Sequence, residues 1–144
     1  MTTATAPDLP EGFTPHFRKS PLTEPWEPLY SRVTDDAVII GLRAGKQHCN
    51  ARGFVHGGLI SALADNAMGL SCGQRRQDGS GLVTITLNME FVQTAQIGQW
   101  LEFHATYVKT GGKVDIVQGR VTADGETCAL VAATFRVLQK RQAA

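Results

Sequence analysis

The segment Leu59–Leu70 (LISALADNAMGL) constrains this chain more than any other. It reads as helix, yet it is apolar nearly all round and rich in small residues. A surface helix keeps a polar face, so a helix without one has to be enclosed. The remaining pattern says by what. Beyond Gly81 the apolar period changes to two, over Leu82–Val92, Gln99–Thr110, Val114–Thr122 and Thr127–Leu138. Gly111-Gly112 and Asp124-Gly125 supply turns between the last three strands. Two further strands, Leu29–Thr34 and Ala37–Arg43, flank Asp35-Asp36 ahead of the helix. The order is two strands, one helix, four strands, and successive hairpins imply antiparallel pairing. These elements predict an α+β fold in which a curved antiparallel sheet of about six strands wraps one central helix.

At 144 residues the chain suits a single domain with its own core. Residues 28–140 are expected to form it, with 1–27 as an N-terminal arm, partly disordered, and 141–144 as a tail. The arm alternates Phe13, Phe17, Leu22 and Trp26 with Pro15, Pro21 and Pro25. The prolines forbid a long helix while the aromatics favour burial, which suggests a short helical turn followed by an extended strap over the domain. Trp26 or Phe17 is a candidate pocket wall, with plain packing as the commoner role.

A net charge of +1 gives no electrostatic footprint for nucleic acid or a membrane surface. Three scattered cysteines, Cys49, Cys72 and Cys128, form neither a disulfide framework nor a C-x-x-C pair. His16, His48, His56 and His104 lack metal-ligand spacing, so no metal is expected. With no signal-peptide pattern and no apolar run of spanning length, the expected compartment is the cytoplasm.

The chemistry concentrates in Gly53-Phe54-Val55-His56-Gly57-Gly58 and the helix it opens. A helix beginning at a glycine pair presents bare N–H groups at the positive end of its dipole, a place for an oxyanion. The same two glycines also suit an ordinary tight turn. Asp65 is the lone acid in the helix, and a carboxylate among Leu63, Ala64 and Ala67 needs either work or a structural partner. Gly57 and Asp65 lie eight residues apart, about 12 Å along a helix axis. That is too far to serve one carbonyl and its water. Either the two do different jobs, or two copies meet and each supplies one of them.

Two stretches, Asn50–Gly58 continuing to Leu63-Ala64-Asp65-Asn66-Ala67, and Val83–Phe91, resemble the hotdog-fold acyl-CoA thioesterases. The likeness is to the phenylacetyl-CoA-thioesterase-like (PaaI-like) branch of the 4-hydroxybenzoyl-CoA thioesterase superfamily, and at the level of the fold it covers about residues 28–138. The resemblance implies hydrolysis of an aromatic or medium-chain acyl-CoA to free acid and CoA, with no cofactor beyond the CoA of the substrate. It implies a homodimer with active sites at the subunit interface, paired further into a homotetramer. By position in the motif, Gly57 N–H would polarise the thioester carbonyl and the Asn50 amide would assist. Asp65 of the partner would act as general base or nucleophile, Thr84 would orient the water, and His56 would hold the turn near the carbonyl. Lys113, Arg75 and Arg76 are candidates for the CoA phosphates, although such residues are commonly just solvated charges. Two alternatives remain. One is a 3-hydroxyacyl thioester dehydratase of the same fold, which needs a His–acid pair; His56 and Asp65 fall on roughly opposite helix faces. The other is an acyl-CoA binding protein without turnover.

Overall fold

The structure is a computed structural model and describes residues 8–138. Residues 1–7 and 139–144, which include the expected tail and most of the Thr/Ala/Pro-rich start, lie outside the described residues. The strands are β1 (Thr14–Pro15), β2 (Tyr30–Val33), β3 (Val38–Arg43), β4 (Gly81–Phe91), β5 (Trp100–Lys109), β6 (Val114–Ala123) and β7 (Glu126–Leu138). One helix, α1 (Gly57–Arg76), separates β3 from β4. All seven strands join one antiparallel sheet in the order β1-β2-β3-β5-β6-β7-β4. The sheet therefore has seven strands rather than six. The extra one is the two-residue β1, where Thr14 and Pro15 pair with Ser31 and Tyr30, too short for any periodicity to reveal. The arm also runs in the opposite order to that expected. Its extended part comes first and its helical turn, Glu24–Trp26, second.

Helix α1 crosses the concave side of the sheet and packs on β3 to β7. It buries Leu59, Ile60, Leu63, Ala64, Ala67, Met68 and Cys72 against Ile40, Leu42, Phe103, Val117, Val121 and Phe135. At Gly119 of β6 the helix leaves no room for a side chain. A Cβ there would meet the His104 carbonyl oxygen and lie 2.7 Å from the Met68 methyl. The helix is not enclosed on every side. Ser61, Ala62, Asp65, Asn66, Gly69 and Leu70 are only half-buried, because the sheet curls round one side of α1 and leaves the other open. The helix ends at Arg76, with Gln77 in the left-handed conformation as its cap.

Strand β3 lacks the usual alternation and is buried on both faces. Its inner residues meet α1. Outside, Phe13, Tyr30, Ile39 and Trp100 form a second small cluster, with the Phe13 and Trp100 rings edge to face at 5.2 Å. This cluster pins the start of the described chain to the back of the sheet.

Strand β4 has the opposite character. It pairs with β7 on one side and stands at the end of the sheet, with Val83, Ile85 and Phe91 each more than half exposed. A bulge at Ile85 breaks its register between Thr84 and Thr86. Bulges re-aim side chains, and this one sits beside the residue that reaches α1.

Candidate active site

The sharp entry into α1 is set by its flanking side chains. His56 is the N-cap, and its Nδ1 accepts the Gly58 N–H at 2.8 Å. A ring nitrogen that accepts carries no proton, so this imidazole is neutral and presents Nε2–H outward. The Gly57 N–H finds no acceptor among the described residues. Asn50 folds the preceding loop. Its Oδ1 accepts the N–H groups of Arg52 at 2.9 Å and Phe54 at 3.2 Å, which leaves the amide nitrogen as a donor. The helix thus opens on a bare N–H capped by a neutral histidine.

Eight residues along, Asp65 projects from the open side of α1. Thr84 Oγ1, from β4, donates to Asp65 Oδ1 at 2.6 Å. The carboxylate keeps its second oxygen and further lone pairs available. Asp65 and Thr84 both line a cavity of about 680 Å³ that runs past Asn66, Gly69, Gly73 and Phe135 to the arm residues His16, Phe17 and Arg18. His56 and Gly58 line a different cavity, of about 400 Å³, together with Trp26, Cys49, Leu59 and Leu22. Within one chain, then, the structure brings together Asp65 and Thr84, places His56 and Gly57 apart from them at the start of α1, and holds the Asn50 side chain against Arg52 and Phe54 of the preceding loop.

Both aromatic wall candidates touch a cavity, Phe17 the larger and Trp26 the smaller. The cationic candidates lie at the far end of α1, about 27 Å from Gly57 at helical rise. Arg76 is committed to a buried ion pair. Its Nη1 lies 2.7 Å from Asp115 Oδ1 and donates to the Gly111 carbonyl, and its Nη2 meets Asp78 at 3.2 Å. Arg75 pairs with Asp36 at the surface. Lys113 sits beside them in the β5–β6 turn, its carbonyl accepting from Val137 N–H.

Burial pushes all three thiols up, Cys72 to about 12, so none is primed as a thiolate nucleophile. No cluster of metal-ligating side chains occurs among the described residues, and no described helix is long and apolar enough to cross a membrane.

Sequence reasoning offered Phe17 of the arm as a wall residue but missed its neighbours His16, Arg18 and Ser20. His16, Phe17, Arg18 and Ser20 share the cavity with Asp65, nearly fifty residues away in the chain. The only local sign was an aromatic segment too proline-rich to be helical.

Residues 52–130, more than half of the chain, match the family model described as the thioesterase superfamily. The candidate esterase PA0474 of Pseudomonas aeruginosa is 34% identical over 131 residues, covering 90% of this chain and 98% of that protein. Human acyl-coenzyme A thioesterase 13 is 33% identical over 76 residues, 51% of this chain and 52% of that protein. Among solved structures, the BH2602 protein of Bacillus halodurans, crystallised with CoA, superposes with a TM-score of 0.73 at 31% identity. That match covers 88% of this chain and 83% of the other. A point mutant of the phenylacetic acid degradation protein PaaI from Thermus thermophilus also reaches 0.73. At 23% identity, covering 83% of this chain and 100% of that one, it speaks for the fold alone.

Proposed function

The chain belongs to the thioesterase superfamily, with the hotdog fold, and is a thioester hydrolase; on that premise we propose that it cleaves an aromatic or medium-chain acyl-CoA at a site shared by two subunits. The observation that carries this reading is the Thr84–Asp65 hydrogen bond at the mouth of a cavity large enough for an acyl group.

In this mechanism the thioester carbonyl oxygen rests at the N-terminus of one α1, against the Gly57 N–H. Negative charge that develops there in the transition state is met by a fixed donor and the helix dipole. The Asn50 amide is the second donor on the same side. Asp65 of the other subunit accepts the proton of the attacking water, and Thr84 holds that carboxylate in one orientation. The tetrahedral intermediate then collapses and expels the CoA thiolate, which takes up a proton. No metal or bound cofactor enters the scheme. Direct attack by Asp65, through an anhydride, uses the same geometry.

Three observations support the shared site. The 12 Å offset along α1 separates the two functions, Asp65 and the helix-capping His56 line different cavities, and β4 ends the sheet with its outer edge unpaired among the described residues. Pairing of β4 with its own copy about a two-fold axis would extend the sheet and set two helices side by side, and two such dimers would make a tetramer. The cations at Arg75 and Lys113 then fall to the CoA phosphates. A dehydratase is less well served, because His56 is spent as a helix cap and lines the other cavity.

Release of CoA thiol from phenylacetyl-, hydroxybenzoyl-, short- and long-chain acyl-CoAs tests the proposal. Turnover by the parent protein and its loss in Asp65→Asn are expected. Parent-like turnover in the variant would overturn the role given to Asp65, and binding without release would mean an acyl-CoA carrier instead.

A further inference from the structure

Strand β4 meets α1 at two places that matter to the site, and the hydrolytic scheme draws on only one of them. Near its start Thr84 bonds Asp65, and at its last residue Phe91 meets Gly57. Both side chains point to the concave side of the sheet, because their register partners Phe135 and Ala129 belong to the core beneath α1. A Cβ built on Gly57 would lie 3.3 Å from Phe91 Cζ and 3.6 Å from both Cε1 and Cε2. A point beyond the tip of the ring would be far nearer to Cζ than to either Cε, so this point stands over the ring face. Gly57 therefore rests its bare Cα on the aromatic ring, and the missing side chain is what permits the contact.

The contact is held from both sides. Phe91 pairs with Ala129, and the N–H groups of Val92 and Gln93 donate to the Cys128 carbonyl at 2.9 and 3.2 Å. The chain then returns to the approach of α1. There the Val55 N–H donates to the Ala95 carbonyl at 2.8 Å, and Phe54 bridges to Gln96. Ring and helix start thus share one hydrogen-bonded frame. Core packing does not account for the ring. Phe91 is 51% exposed, so it returns to the fold only part of what burying a phenylalanine yields.

We infer that Phe91 is a positioning residue for hydrolysis. Its ring seats Gly57, so that the Gly57 N–H stays aimed where the carbonyl oxygen becomes negative, and it keeps water off the Cα side of that donor. The inference rests on the hydrolase reading for the role of Gly57 and adds a residue that acts through it. A fixed donor lowers a barrier only while its aim holds, and a small misplacement costs rate out of proportion. One strand then sets both halves of the machinery, Asp65 through Thr84 and Gly57 through Phe91.

The test measures kcat and KM for CoA release by the parent, Phe91→Ala and Phe91→Leu, each at concentrations where sedimentation shows the parent's assembly. Phe91→Ala is expected to lower kcat about tenfold while KM stays within about twofold, and Phe91→Leu to keep most of the rate. Gly57→Ala retains the N–H but pushes a methyl onto the ring. It should cost about tenfold alone and less when joined to Phe91→Leu, a non-additivity that only a contact between the two positions produces. Calorimetric titration with two CoA thioethers, one carrying a trifluoromethyl ketone in place of the thioester carbonyl and one without a carbonyl, reads the same geometry without turnover. Phe91→Ala should shrink the parent's preference for the ketone by about tenfold. If the parent hydrolyses nothing yet shows that preference and its loss, the hydrolase reading fails and the part given to Phe91 stands. Parent-like kcat in Phe91→Ala, additive effects of Gly57→Ala and Phe91→Leu, or a loss that raising the protein concentration restores would overturn the inference while leaving the hydrolase reading intact. A parent that neither hydrolyses nor prefers the ketone would overturn both.

Discussion

Thr84 Oγ1 lies 2.6 Å from Asp65 Oδ1, joining the exposed edge strand of the sheet to the one acid of the central helix. A hydroxyl donating to a carboxylate at this distance is a charge-assisted bond. It ties the orientation of Asp65 to the position of β4, and so to whatever β4 pairs with.

Replacing Asp65 by Asn keeps shape and removes the base. We expect kcat to fall by about 10²–10⁴ with unfolding unchanged within error. Thr84→Val removes only the orienting bond and should cost roughly tenfold, mostly in kcat. Steady-state kinetics on both variants checks this. A Thr84→Val effect confined to KM would contradict an orienting role.

A shared site can be tested by complementation. Gly57 is the first residue of α1, where proline is tolerated, and His56 is already extended at ψ 132°. Gly57→Pro therefore deletes one N–H while keeping the helix. Each of Gly57→Pro and Asp65→Asn alone should be nearly inactive. Unfolded together and refolded, they should recover about a quarter of parent activity, since half the dimers are mixed and each mixed dimer has one intact site. No recovery in demonstrably mixed dimers would place both residues in one chain's site.

The Arg76–Asp115 pair fastens the end of α1 to the β5–β6 turn. Asp115 is fully buried, and its Oδ1 also accepts the Gly111 N–H at 2.9 Å. Arg76→Ala would strand that carboxylate and should cost about 3–5 kcal/mol in urea denaturation. Adding Asp115→Asn to Arg76→Met, which removes both charges, should recover more than half of the loss.

His16 also gives stability a pH dependence. Its folded pKa is lowered below 6.5, so between the folded value and 6.5 the unfolded chain binds the extra proton. Its contribution is complete above pH 6.5 and is lost as pH falls from there through the folded pKa. The thermal midpoint of the parent minus that of His16→Phe should therefore decrease from pH 8 to pH 5. An unchanged difference would mean that the ring is not held neutral.

The sequence was most legible where one pattern had one solution. The period-two strands beyond Gly81 and the glycine entry to α1 lie within one or two residues of where Leu82–Val92 and His56-Gly57 placed them. Asp65 stood out because a carboxylate in an apolar helix is expensive. The arm was less legible. His16 and Asp65 share a cavity only because β1 hangs on β2, and a two-residue strand leaves no periodicity to read. The open side of α1 was hidden for a different reason. Small residues serve equally well against a sheet of the same chain and against another molecule. Arg76 looked like any surface cation, since its partner Asp115 sits in a strand 39 residues away.

The unpaired edge of β4 has a consequence for the life of the chain before it is assembled. Along its eleven residues, alternate positions turn free backbone donors and acceptors outward beside Val83, Ile85 and Phe91, without a proline and with Glu90 as the single charge. Such an edge accepts any strand that arrives, and natural sheets usually blunt it with lysine, proline or a cover. Here only the bulge at Ile85 interrupts it. The newly made protein is therefore in a race between meeting its own kind in the right register and meeting any other strand in a wrong one, and its yield in the cell depends on how quickly that race ends.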